Sequence, residues 1–329
     1  LTRAAFREPP ARDPAIDWLR RSSEPAIRYM AGRDLLGVED RADRRRILDG
    51  PMVRALLAGQ HADGGFGNQP YRKWSGAHWR LVSLVELEVP PGEPRAVAAA
   101  ERVLRWLTVG GQRTRTLPRG RPPRSDASIE GNAVAACVRL GMADDPRVRI
   151  LVEGLLRWQW PDGGWNCDRD ATGRRSSFHE SLCPMWGLHE YAAASGNADA
   201  GAAARRTAEL LLEHRLFRRH GTGGPIHPSW VKLHYPAYWH YDILHALLVL
   251  SRMDLAVDPR ASDALDIVAG RRRDDGTWHP DGSWWSPPKS GRPTPEVVDW
   301  GRQGSSPMLT LNALRVLRAA GRWSPELAH

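Results

Sequence analysis

DDPRVRILVEGLLRWQWPDGGWNCDRDATGRRSSFHESLCPMWGLHEY, residues 144–191, reads as a helix, a Gln-x-x-Asp-Gly-Gly-Trp turn, a polar loop and a second helix. Asp145-Pro146 predicts the start of the first helix, because proline at the first helical position lacks only an N–H that has no helical partner. Val148, Val152, Leu155 and Leu156 recur at helical spacing and give it one apolar stripe. Gly163-Gly164 is expected to end it, since glycine takes left-handed backbone angles without strain. Ser176-Ser177 predicts a cap for the second helix, with Glu180 three residues beyond Ser177 in capping-box position.

The unit returns. Asp258-Pro259-Arg260 precedes Asp275-Gly276-Thr277-Trp278 by the offset that separates Asp145-Pro146-Arg147 from Asp162-Gly163-Gly164-Trp165. A third copy, Gln60-His61-Ala62-Asp63-Gly64-Gly65-Phe66, follows a short predicted helix at 52–58. Repetition of this kind over most of a chain indicates stacked helical hairpins. Stretches near 25–36, 76–88, 129–140, 177–194, 238–253 and 307–320 are markedly apolar, and amphipathic helices alternate with most of them. The first kind must be buried; the second sits outside. The expectation is an all-α protein, a single (α/α)6 toroid over residues 13–329 behind an N-terminal tail at 1–12. Inner-helix N-termini and the turns before them then share one mouth of the cavity. The Gly/Pro/Arg-rich segment 108–124 is expected to be a lid or a surface insertion, and 218–236 a degenerate copy of the turn.

Composition narrows the partners. Fifteen tryptophans against four phenylalanines point to large aromatics wanted for a polar edge or a π face. The longest apolar run, residues 243–250, is far short of the ~20 that cross a membrane, so no integral membrane segment is expected. The first residues are charged and proline-rich without a signal core; from the start without Met trimming is expected, with a lost signal left open. Three cysteines, Cys137, Cys167 and Cys183, are too few for a disulfide framework and point to the cytoplasm. The net charge of +9 comes from arginines scattered over loops and outer helices, so nucleic acid is not the expected partner. A positive rim attracting an anionic substrate, such as a diphosphate, is the better reading.

Gln159-x-x-Asp162-Gly163-Gly164-Trp165 and Gln60-x-x-Asp63-Gly64-Gly65-Phe66 resemble the QW repeats of squalene–hopene cyclase and related terpene cyclases. They are also similar to the repeat of protein prenyltransferase β subunits. Arg272 stands where the third copy would have its glutamine. The resemblance implies a helical toroid, a fold that hosts cyclases, transferases and non-enzymes. Class II cyclases carry Asp-x-Asp-Asp-Thr-Ala at the start of an inner helix, the middle aspartate protonating an alkene or epoxide. Here Ser128-Ile129-Glu130-Gly131-Asn132-Ala133 takes that register, with Glu130 at the acid position and both flanking aspartates replaced. The prenyltransferase subunits bind zinc through Asp-x-Cys and His at successive inner-helix starts. Here Ser177-Phe178-His179-Glu180 and Tyr238-Trp239-His240-Tyr241-Asp242 open two such helices, with Cys167 in the loop before. By this resemblance Cys167, His179, His240 and Asp242 are candidate zinc ligands, in an order that departs from the family's.

On residues alone, His179, Cys183, Trp186 and Glu190 share a helical face, as do Tyr238, Asp242 and His245. Three functions follow. The first is an enzyme acting on an isoprenoid or other apolar substrate. Its chemistry would come from Glu130, His179, Glu180, His240 and Asp242. Trp79, Trp186, Tyr238, Trp239 and His245 would shape a cavity that steers cations by cation–π contact. The second is a zinc-dependent prenyltransferase-like enzyme. The third is a non-catalytic toroid that binds a small molecule or a protein partner. The lumen discriminates: an aromatic-lined void on the order of several hundred Å³ suits an isoprenoid chain, and a filled lumen points to a scaffold.

Overall fold

The computed structural model describes residues 13–109, 126–167, 175–284 and 296–325. The expected N-terminal tail and nearly all of the 108–124 segment lie outside the described residues. In chain order the α-helices are α1 (Pro14–Arg20), α2 (Pro25–Leu36), α3 (Arg41–Arg45), α4 (Pro51–Leu57), α5 (Ala77–Glu86), α6 (Pro94–Thr108) and α7 (Ala127–Arg139). They continue with α8 (Pro146–Trp158), α9 (Phe178–Ser195), α10 (Ala198–Glu213), α11 (Ile243–Arg252), α12 (Ser262–Gly270) and α13 (Pro307–Ala319). Among the described residues the extended structure amounts to one isolated bridge, between Arg218 and Pro225. No helix there is long and apolar enough to cross a membrane.

The apolar helices form an inner ring. α5 packs on α7, α7 on α9, α9 on α11, α11 on α13 and α13 on α2. Arg33 of α2 pairs with Glu88, just beyond α5, and closes the circle. Outside it, α1 bridges α2 and α13, α6 bridges α5 and α7, α8 covers α7, α10 covers α9, and α12 bridges α11 and α13. Between α2 and α5 the outer layer is broken into α3, a 3-10 turn (Ile47–Asp49) and α4. The C-terminal ends of α2, α5, α7, α11 and α13 line one opening. Their N-termini face the other mouth.

The repeated motifs do repeated jobs. Asp13, Asp145 and Asp258 each accept an N–H two residues on, capping a proline-started turn. Arg147 pairs with its own cap, Asp145, and with Glu101 of α6; Arg260 does the same with Asp258 and Glu209 of α10. α8 ends at Trp158, short of the expected Gly163-Gly164, and the chain is extended at Gln159. Gly163 (φ 96°) serves the tight turn that follows, where a Cβ would lie 2.5 Å from the Arg206 carbonyl oxygen of α10. Gln159 Nε2 donates to the carbonyls of Gly163 (2.8 Å) and Ala203 (2.9 Å), while Gln60 Nε2 donates to those of Gly64 (3.3 Å) and Arg95 (2.8 Å). Arg272 keeps the inner half of this pattern by donating to the Gly276 carbonyl, and it pairs with Asp13. Each turn is thus pinned to an outer helix, α10, α6 or α1, and the last one clasps the first helix. Trp165 and Trp278 are fully buried, their indole N–H groups donating to the carbonyls of Leu155 and Val268, ten residues back in both cases.

Candidate functional site

The first N–H groups of a helix have no partner within it and attract acceptor side chains. Glu180, in the first turn of α9, does not close the expected capping box. Ser177 makes no side-chain cap bond, and Glu180 Oε2 accepts the N–H of Ser128, at the start of the adjacent α7, at 2.9 Å. The Ser128 hydroxyl and the Cys167 thiol also bond this carboxyl. It is 7% exposed, and desolvation outweighs these bonds, so its pKa is raised above the ordinary glutamate value. Desolvation, with the Glu180 charge beside it, pushes the Cys167 thiol up to about 12. Glu130, in the first turn of α7, is equally buried.

The other expected inner-helix start is not helical. α11 begins at Ile243, and residues 238–242 end a loop. Asp242 is its N-cap: Oδ1 accepts the His245 N–H at 2.9 Å, and Oδ2 accepts the His234 N–H at 3.2 Å, with no exposed surface. A cap residue takes non-helical angles, so the helix cannot run back through it. Asp242 is therefore placed as a structural acceptor rather than as a free acid.

Residues 234–242 plug the lumen. Tyr238 takes a left-handed backbone angle (φ 55°), and its carbonyl accepts Asn132 Nδ2 of α7 at 2.9 Å. Its ring stacks on Trp74 at 4.0 Å, and its hydroxyl donates to Glu296 at 2.9 Å. Trp79, buried beneath, meets both rings edge-on. Trp239, His240, Trp284 and His234 form a continuous stack with centroid spacings of 4.0, 4.3 and 3.7 Å. The Lys73 ammonium lies 5.4 Å from the Trp74 ring and 5.2 Å from the Trp239 ring, within cation–π range. Under the plug remains a void of about 40 Å³, lined by Asn132, Trp186, Tyr238 and His245 among others. At ~10–15 Å³ per water that is room for about three molecules.

His179 stands beside the plug, its Nδ1 accepting the Tyr241 N–H at 2.8 Å. Burial lowers its pKa to about 4 and that of His240 to about 3, so both rings are neutral at pH 7. The structure thus joins Glu180 with Cys167, His179 with Trp239 and His240, and Tyr238 with Trp79; it leaves Trp186 and His245 on the inner void. It does not assemble the zinc set. Among the described residues no three His, Cys, Asp or Glu are grouped to hold a metal. Cys167 bonds Glu180, His179 Nδ1 is occupied, and Asp242 is a cap. Sequence reasoning missed Ser128, Lys73, Trp74 and Trp284. The usable signal was the placing of tryptophans in proline- and glycine-rich loops, where no helical core needs them.

No family model matches the chain, and no curated protein matches it. Among solved structures, a protein from Actinoplanes is similar at 20% identity over 94% of this chain and 98% of that one, with a TM-score of 0.46. E. coli alpha-2-macroglobulin is similar at 16% identity over 95% of this chain and 17% of its own, with a TM-score of 0.42. The type II terpene cyclase MstE from Scytonema is similar at 12% identity over 83% of this chain and 97% of that one, with a TM-score of 0.29. At these scores nothing about activity rests on the likenesses.

Proposed function

We propose that the protein binds a small apolar, unsaturated molecule of the isoprenoid class at the N-terminal mouth, and that Glu180, as a neutral carboxylic acid, protonates it. The carrying observation is the Glu180 carboxyl, buried at 7% exposure against Ser128 and Cys167 with its pKa raised. A raised pKa keeps a proton available where an ordinary carboxylate has lost it. The faces of Trp74, Tyr238 and Trp239 offer negative π density to the cation that protonation creates. Neutral His240, whose buried Nδ1 has no hydrogen-bond partner among the described residues, is the base able to take a proton back. With the plug seated, a void of about 40 Å³ admits no isoprenoid chain, so the substrate's reacting end lies at the mouth.

That filled lumen favours a second reading, a non-catalytic toroid that binds a small molecule or a protein partner. One experiment separates them: incubation with isoprenoid alcohols and diphosphates, products followed by gas chromatography–mass spectrometry and binding by tryptophan quenching. Turnover that falls ~10²–10⁴-fold in Glu180→Gln with binding retained supports the acid. Binding without turnover in the wild type leaves the second reading, and absence of both removes the isoprenoid reading.

A further inference from the structure

The opposite mouth carries chemistry of a different kind. An open cavity of about 470 Å³ lies there, divided from the inner void by Glu86 and Leu248, which line both. Small-molecule sites typically span ~300–1,000 Å³. Arg33 of α2, Arg139 of α7, Arg252 of α11 and Arg315 and Arg318 of α13 all reach its wall.

Helix C-termini disfavour carboxylates, yet three stand among these arginines, each shared by two of them. Asp34 holds Arg33 and Arg315, and Glu88 holds the same pair. Glu86 holds Arg139 at 3.3 Å and Arg252 at 3.0 Å. The carboxylates act as brackets that fix four of the guanidiniums, those of Arg33, Arg139, Arg252 and Arg315, before any ligand arrives, so little of their side-chain entropy is left to lose on binding. With Glu190, 3.2 Å from Arg139, four carboxylates meet five guanidiniums. The unmatched cation is Arg318: its Nη1 donates to the Asp34 carbonyl, and no carboxylate pairs with it among the described residues. Arg252 commits only Nη2 to Glu86, while its carbon lies 5.2 Å from the Trp186 ring. A guanidinium has five N–H donors, so this wall holds donors beyond its acceptors and one uncompensated positive charge.

We propose that this cavity binds a small molecule bearing a phosphate or diphosphate group, gripped by Arg252 and Arg318. Planar guanidinium forks match tetrahedral oxyanions in geometry, and a multiply charged anion answers the excess of positive charge. The proposal stands apart from the acid at Glu180, which occupies the other mouth.

The test is calorimetric titration of the full chain with inorganic pyrophosphate at fixed ionic strength, since salt screens unspecific attraction. Saturable binding is expected, weakened roughly tenfold by Arg318→Ala, the loss of one charge-assisted contact, and abolished by Arg318→Glu. Ser251, also on the wall, bonds only the Leu248 carbonyl. Ser251→Asp therefore places a carboxylate in the cavity without breaking an ion pair, and it too is expected to abolish binding. It decides the question alone if the Arg318 variants unfold. The exposed Arg205 of α10 is the control, and Arg205→Ala is expected to bind like wild type. No saturable heat at millimolar pyrophosphate, binding untouched by the Arg318 and Ser251 variants, or an equal loss in Arg205→Ala overturns the site.

Discussion

Gly131→Ala is expected to force apart the two helices on which Glu130 and Glu180 stand. α7 and α9 cross backbone to backbone. A Cβ at Gly131 lies 2.3 Å from the Pro184 nitrogen and 2.4 Å from the Cys183 carbonyl carbon; one at Gly187 lies 2.4 Å from the Gly131 oxygen. Ordinary contact begins near 3.4 Å, so a methyl group needs roughly 1 Å that no side-chain rotation can supply. Overpacking costs ~1–3 kcal/mol, and the upper end applies where every obstacle is backbone. Alanine's better helix propensity returns up to ~1 kcal/mol. A net loss of about 1–2 kcal/mol follows for Gly131→Ala and for Gly187→Ala. Gly201 is the internal control: within α10 its Cβ meets only the Ala192 Cβ, at 3.6 Å. Gly201→Ala is expected to stabilise by ~0.5–1 kcal/mol. Urea unfolding read by circular dichroism gives all three from midpoints at constant m-value. If Gly131→Ala unfolds at or above the midpoint of Gly201→Ala, the close crossing is wrong, and so is the Glu180–Ser128 bond that depends on it.

Other perturbations follow from single contacts. Asp242→Ala removes the cap of α11 and is expected to cost about 1–2 kcal/mol in urea unfolding, whereas Asp242→Asn keeps an acceptor and loses less. Burial alone would raise the pKa of Glu86, but Arg252 and Arg139 override it and hold it at about 2 against an ordinary 4.5. The native state thus binds this proton more weakly than the unfolded chain. On the order of 3 kcal/mol of stability, present above pH 4.5, is lost as pH falls towards 2, and Glu86→Gln flattens that limb of an acid titration. Glu180 has the opposite sign: its raised pKa gives stability below pH 4.5 that is lost as pH rises through the native value. Glu180→Gln is therefore expected to be at least as stable as wild type at pH 7, measured by thermal unfolding. Cys167→Ala is expected to leave zinc content by plasma mass spectrometry unchanged, because the thiol is held protonated against Glu180; near-stoichiometric zinc lost in that variant restores the transferase reading.

What was legible in the chain is what rests on local backbone chemistry. Asp145-Pro146 and Asp258-Pro259 mark capped starts because the aspartate acceptor and the proline angle act within one turn. The Gly-Gly turns were placed correctly but given the wrong task, since a docking site on α10 cannot be seen from residues 159–165. Glu180 shows the same limit. Its spacing from Ser177 fits a capping box, yet the side chain turned to a free N–H on α7 that only the tertiary crossing brings near. The run Tyr238-Trp239-His240-Tyr241 read as helix because periodicity counts apolar residues and cannot tell an aromatic plug from a buried turn. Asp242 before an apolar stretch was itself a cap signal, and it puts the boundary where the structure does.

The two mouths differ because the inner helices run the same way. Parallel helices add their dipoles, so partial positive charge gathers at one end of the ring and partial negative charge at the other. Glu130 and Glu180 lie in first turns, at the positive end; Arg33, Arg139, Arg252 and Arg318 lie in last turns, at the negative end. Each placement is worth only ~0.3–1 kcal/mol, too little to decide the fold. It does not decide the chemistry of either mouth, since Asp34, Glu86, Glu88 and Glu190 stand with the arginines at the negative end. At the positive end the Glu180 pKa is raised because burial, with the Asp126 charge near it, outweighs the bonds from Ser128 and Cys167. A buried carboxyl with a raised pKa is a costly arrangement for packing alone, which is why Glu180, more than the shape of the lumen, is the feature on which the functional reading turns.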